Sequence, residues 1–221
     1  ARFESCEITD DRMYLKVVNP RLQAEVVPGD IVQAGIMISN SETGLGAVNI
    51  QPLIYRLVCS NGMVVNEAGT RRAHIGRVNT TDVNFALYSQ QTLDAEDRAF
   101  VLKIQDTVRA AVDEARFSTV LERMRESKQA QLNTQDLPGL VKLAGSSFGI
   151  LEEEGRGVLQ HLIEAGDFTL YGLANAVTRF SQDVESYDRA TKLEEIGYSV
   201  MTMSPLLLQK INQTQVTKLA A

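Results

Sequence analysis

GDIVQAGIMISNSETGLGAVNIQPLIYRLVCSNGM, residues 29–63, is the stretch whose reading decides the fold. Ile31, Gln33, Gly35, Met37 and Ser39 interleave with Val32, Ala34, Ile36 and Ile38, so one face carries β-branched apolar groups and the other small or polar ones. That period of two predicts a strand with one covered face. The run ends at Asn40-Ser41-Glu42-Thr43-Gly44-Leu45-Gly46, where two glycines can take positive φ and the chain is expected to turn. The return, residues 47–59, is again rich in β-formers (Val48, Ile50, Leu53, Ile54, Tyr55), but Pro52 cannot donate to a ladder and implies an edge position or a bulge. Ser60-Asn61-Gly62 then reads as a tight turn into a third strand through Met63, Val64 and Val65.

Upstream, residues 2–9 alternate as a strand, Asp10-Asp11 turns, and residues 13–18 form a second short strand that pairs with the first. Asn19-Pro20 is expected to break it. Extended structure resumes over residues 22–27 before the turn Pro28-Gly29-Asp30. Downstream, residues 69–78 (GTRRAHIGRV) are expected to close the sheet.

The pattern then changes period. Thr80-Thr81-Asp82 offers a cap, and from there to about Gln131 the chain has neither Gly nor Pro, while Val101, Ile104, Val108, Val112, Ala115, Val120, Leu121 and Met124 recur at three- and four-residue steps. This predicts a long amphipathic helix, bent or broken near Ser89 or Phe117-Ser118 because more than about 40 unbroken residues would far exceed the usual length. Its polar face mixes signs and reads as a solvated surface. Shorter helices follow: one from Leu137-Pro138 ending between Gly145 and Gly149, then residues 152–165, 170–184 and 186–196. Residues 198–203 alternate like a last strand, residues 205–211 form an apolar turn or two, and the tail is expected to be mobile. The expected architecture is α+β, an antiparallel N-terminal sheet covered by a long helix with a helical C-terminal subdomain. The units fall at 1–132, 133–212 and a tail at 213–221.

At 221 residues and 44% hydrophobic content the chain can bury a real core. A net charge of −6 weighs against a generally basic surface but leaves room for a local basic groove. Cys6 and Cys59 lack the density of a disulfide scaffold or any metal-ligand spacing, and they read as reduced, buried thiols. No apolar run approaches the roughly 18 residues needed to span a bilayer, so no membrane partner is expected. The chain starts at Ala1 directly in strand-like sequence, which leaves room for a segment ahead of it.

Catalytic motifs are scarce. No His-x-x-x-His, Cys-x-x-Cys, Walker loop or Gly-x-Ser-x-Gly elbow occurs, so neither catalytic residues, metal ligands nor cofactors are assigned. His161 lies beside Leu159, Leu162 and Ile163 on a helix and reads as a packed ring. Glu152-Glu153-Glu154 reads as the acidic first turn of a helix, because adjacent carboxylates on a helix do not share a face. One cluster stands out: Arg71, Arg72, His74 and Arg77, with Arg56 on the neighbouring strand. Guanidinium groups bond phosphate oxygens in pairs, so these five residues are the candidate nucleic-acid-binding site. The plainer alternative is an edge strand protected from aggregation by its arginines.

The blocks GDIVQAGIMISNSETG (29–44), IQPLIYRLVCSNGM (50–63) and DFTLYGLANAVTRFSQDVESYDRATKLEEIG (167–197) resemble a phage/plasmid-like family of proteins carried by phages, plasmids and other mobile elements. The resemblance covers most of the chain and brings no catalytic residues with it. It implies a cytoplasmic protein in a setting where DNA replication and recombination are common. Two functions follow. The first is a non-enzymatic single-stranded DNA-binding or annealing protein, a homo-oligomer comparable to phage annealing proteins, which needs phosphate neutralisation and accessible bases but no catalytic group. The second is a structural or regulatory protein-interaction module using strand edges and C-terminal helices. An enzyme ranks third, since it would rest on Asp183, Glu185 and Asp188 with an unseen metal.

Overall fold

The computed structural model describes residues 1–10, 12–41, 47–65, 70–73 and 88–213. Six strands form one antiparallel sheet: β1 (Arg2–Ile8), β2 (Met13–Glu25), β3 (Ile31–Asn40), β4 (Ala47–Arg56), β5 (Asn61–Val64) and β6 (Thr70–Ala73). The order is β1-β2-β3-β4-β5, with β6 also on β4. The quoted stretch is its centre: β3 and β4 pair from Val32 with Arg56 to Ser39 with Asn49.

Two prolines behave differently from expectation. Asn19-Pro20 does not end a strand. β2 runs through it, and the register on β3 jumps between Asn19 and Gln23, which absorbs the missing ladder N–H as a bulge. Pro52 is inside an interior strand, not at an edge. On β3 it pairs with Ile36, and on the other side β6 pairs with residues up to Ile50 while β5 starts at Leu53. The residue without an N–H therefore sits in the gap between two partner strands, where no donor is required.

The turn after β4 occupies residues 57–60, and Ser60 takes the positive φ. Asn61 and Gly62, expected in the turn, instead open β5. Gly62 is there for closeness: a Cβ on it would lie 2.8 Å from a Leu53 methyl. Asn61 is buried and donates to the Thr178 hydroxyl.

The helices are α1 (Gln90–Ala111), α2 (Glu114–Gln129), α3 (Leu137–Phe148), α4 (Glu152–Ala165), α5 (Leu170–Phe180), α6 (Tyr187–Met201) and α7 (Pro205–Asn212). The predicted long helix is two. The break falls at Val112-Asp113 rather than at Phe117-Ser118, because the Asp113 carboxylate accepts the Arg116 N–H at 2.9 Å and caps a new helix. Ser89 caps α1, and the Thr80-Thr81-Asp82 cap lies outside the described residues. α5 ends at Phe180 and passes into a 3-10 turn (Ser181–Asp183), short of Val184. Residues 198–203 are not a strand: α6 continues through Gly197 to Met201. Gly197 does not stop the helix because it is where α6 crosses α5, and Tyr198, Val200 and Met201 are buried by that packing.

The sheet is covered on both faces. Val32, Ala34, Ile54, Met63 and Val65 join a large core with Phe117, Leu140, Tyr171 and Leu193, which runs from the sheet across residues 132–133 into the C-terminal helices. On the opposite face Tyr14, Met37, Leu53 and Val64 pack with Tyr187 at the start of α6. Two parts stay outside this packing. Residues 90–99 of α1 are all exposed, and Phe3 (72%) and Ile8 (77%) project from β1, where Cys6 is exposed rather than buried because β1 is at the margin of the sheet; Cys59, in the turn after β4, is half-buried.

Candidate nucleic-acid interface

Arg56 ends β4, and its surroundings decide its role. Its Nε and Nη2 donate to the two Asp30 carboxylate oxygens at 2.6 and 2.9 Å, and Nη1 donates to Cys59 Sγ at 3.2 Å. The Tyr171 hydroxyl donates to the same Asp30 at 3.0 Å, with the guanidinium 5.7 Å from the Tyr171 ring centroid. Lys128, paired with Asp167 at 2.7 Å, lies 5.9 Å from the same centroid. Burial works against the guanidinium charge, yet the bonds to Asp30 and the nearness of Tyr171 more than offset it, and the Arg56 pKa ends above its ordinary value. Burial likewise raises the Tyr171 hydroxyl. Arg56 thus clamps the Pro28-Gly29-Asp30 turn to α5, with its donors directed inward.

The other candidates lie at the far end of the same strand. Arg71 pairs with Asn49 and Arg72 with Val48, whereas Arg56 pairs with Asn61. Seven residues of strand separate Asn49 from Arg56, about 23 Å at the usual rise. The five-residue cluster is therefore divided: Arg56 belongs to the interior, Arg71 and Arg72 to β6, and His74 and Arg77 lie outside the described residues.

Beside β6 the fold makes a groove that sequence reading did not identify. Its floor is Pro52, Ile54 and Val65, and its walls are the end of α1 (Ala110, Ala111) and α2, enclosing about 170 Å³. Arg116 and Arg123 line it with Thr119, and Arg123 donates to the Tyr198 hydroxyl at 2.9 Å. Seven residues are two turns of a helix, so both arginines stand on one face of α2. Pro52 lies two residues from Ile50, the partner of Thr70, which puts the groove at the start of β6. The available signal was the seven-residue spacing, hidden within a polar face of both signs.

Several other charged groups are paired elsewhere. On the opposite sheet face Arg12 and the Tyr14 hydroxyl bond Asp188, Lys16 pairs with buried Glu194, and Gln51 donates to Glu195 at 3.1 Å. Burial, aided by Asp188, pushes the Tyr14 hydroxyl up to about 12. Burial raises the Glu194 carboxyl and Lys16 partly counters it. Glu154 returns to the Leu151 N–H at 2.7 Å and takes the Arg189 guanidinium on both oxygens; those Arg189 bonds hold its pKa below the usual carboxylate range. Asp183 bonds His161 Nε2 at 2.6 Å. Among the described residues no set of three or more His, Cys, Asp or Glu side chains is grouped as metal ligands would be, and no helix is long and apolar enough to cross a membrane.

Neither a curated protein nor a solved structure gives a significant match to this chain. A protein family does: the one described as a domain of unknown function (DUF932) matches residues 5–204, nearly the whole chain, and the protein belongs to that family.

Proposed function

We propose that the protein is a non-enzymatic, cytoplasmic single-stranded nucleic-acid-binding protein of a phage, plasmid or related mobile element, and that its strand-binding surface is the α2 groove continued along β6. The observation that carries this reading is the pairing of Arg116 and Arg123 on one face of α2 over an apolar floor, next to the strand that carries Arg71 and Arg72. Guanidinium groups at the rim bond phosphates, while a floor of Pro52 and Ile54 accepts the face of an unstacked base. His74 and Arg77 follow directly in sequence and extend the basic run. Arg56 has a structural part in this reading. Phosphate neutralisation also fits the lack of a catalytic motif, since binding and annealing need none.

The test is fluorescence anisotropy with labelled single- and double-stranded DNA from 25 to about 200 mM salt. Binding to the single strand that falls steeply with salt and is lost in R71E/R72E and in R116E is the expected result. Absence of binding at the lowest salt removes the proposal.

A second reading, a protein-interaction module, is favoured by the uncovered Phe3 and Ile8 on β1 and by the exposed first half of α1. Under that reading the arginine variants leave DNA assays unchanged and alter assembly instead.

A further inference from the structure

Among the described residues no strand lies beyond one margin of the sheet. At the other margin β5 is packed between α5 and α6, and β6 extends β4. β1 has a strand neighbour only on its β2 side among the described residues, so its outer N–H and C=O groups form a template for another strand. Its charges and its bulge are the usual protections of an edge, but it contains neither Lys nor Pro and it exposes Phe3 and Ile8.

We infer that β1 is a homodimer interface, where β1 of a second copy adds antiparallel across a two-fold axis at Ser5 and the two sheets become one. The argument is the self-complementarity of the strand. On β2, Arg2 and Glu7 pair with Val18 and Tyr14, and Phe3 and Cys6 with Val17 and Leu15; the register shifts between Phe3 and Ser5, leaving Glu4 as the extra residue. When two such strands meet around Ser5 with Glu4 set aside in each, Arg2 faces Glu7 of the second copy and Phe3 faces its Cys6. Each match joins residues of one sheet face, as antiparallel pairing demands. The charges match twice, once on each side of the axis, and the apolar residues match on the opposite face. A shift of one residue would put Arg2 and Glu7 against apolar partners on the wrong face, so the complementarity holds in this register. Within one chain Arg2 already touches Glu4 and donates to the Gln33 amide oxygen at 3.3 Å, with half of its side chain exposed, and Glu7 of the second copy, which also takes its own Tyr187 hydroxyl, supplies a further carboxylate. A second copy is favoured over an unrelated strand because a symmetric contact must satisfy itself, and this one does.

The inference rests on the sheet edge alone and is independent of the arginine groove. Its test is the mass of the full chain by sedimentation equilibrium, against 24.4 kDa for one copy. A concentration-dependent dimer is expected. R2E and E7R should each weaken it at least tenfold, because each puts like charges opposite one another, and R2E/E7R should restore it. Register is read by F3C, which should form an intermolecular disulfide with the native Cys6 when oxidised with copper phenanthroline, mapped by peptide mass spectrometry; F3C/C6S should not. A chain that is monomeric at all concentrations, or a dimer that ignores both charge reversals or yields no such cross-link, overturns the proposal. DNA binding measured on the same variants keeps its failure separate from that of the groove.

Discussion

Gly197 of α6 lies directly against Thr178 of α5: a Cβ on the glycine would stand 2.2 Å from the Thr178 γ-methyl and 3.2 Å from the Ala174 carbonyl oxygen. Thr178 cannot easily turn away, since its hydroxyl accepts from Asn61 of β5 and donates to the Asn175 carbonyl at 3.2 Å. One helix crossing therefore also anchors the sheet.

The G197A variant follows from that contact. In an exposed helix the change would gain about 1 kcal/mol of propensity. Here overpacking costs about 1–3 kcal/mol, and the net outcome is a destabilisation of about 1 kcal/mol, read from urea midpoints. Thr178→Ser removes the γ-methyl and keeps the hydroxyl, so G197A/T178S should recover part of the loss in a double-mutant cycle.

Replacing Asp30 by Asn leaves the part-buried Arg56 guanidinium without its counter-charge. Breaking a fully buried pair from one side costs about 3–5 kcal/mol, and D30N should lower stability by no more than the lower end of that range. R56M, which removes the charge and retains the aliphatic stem, should cost less. In the folded fraction of R56M the affinity for single-stranded DNA should equal that of the wild type, because Arg56 does not line the groove and its donors are taken up by Asp30 and Cys59; a selective loss of affinity would restore Arg56 to the binding surface.

Two buried carboxyls give opposite pH signs. The Glu154 pKa is depressed in the folded state, so its contribution is present above the unfolded value near 4.5 and is lost as pH falls through the folded value. The Glu194 pKa is raised, so its contribution is complete below about 4.5 and is lost as pH rises through the folded value. Urea midpoints from pH 3 to 8 should show a shallower acid limb for E154Q and a smaller decline toward neutrality for E194Q.

The DNA prediction can be given a slope. Single strands lose about 0.7 log units of affinity per log unit of salt for each phosphate neutralised, so four arginines predict a slope of roughly −3. R116E and R71E/R72E should lower its magnitude as well as the affinity. An unchanged slope with lower affinity would locate the contacts elsewhere.

Much of the architecture was legible in the residues because it is local. The period of two over residues 31–39, the Pro-Gly-Asp turn, the helix caps at Thr169 and Ser186, and the switch to three- and four-residue steps in the middle of the chain all act within a few positions, whereas the cap at Ser89 was read as a bend. What misled was local chemistry with a distant partner. Asn61-Gly62 looks like a turn, and Gly197 like a helix stop, until Thr178 and Leu53 occupy the space that a side chain would need.

The sequence by itself determined that this chain builds an antiparallel sheet followed by helices, and that Arg56, Arg71, Arg72 and Arg77 follow one another closely in an acidic chain. Only the tertiary structure decided that Arg56 is held by the fold. Nothing near Arg56 in the sequence marks it for that role, yet a carboxylate from the Asp30 turn and a tyrosine from α5, 141 residues away from Asp30, meet there. The fate of a charge depends on whether folding brings a counter-charge into the same desolvated space, and no short-range pattern encodes that meeting.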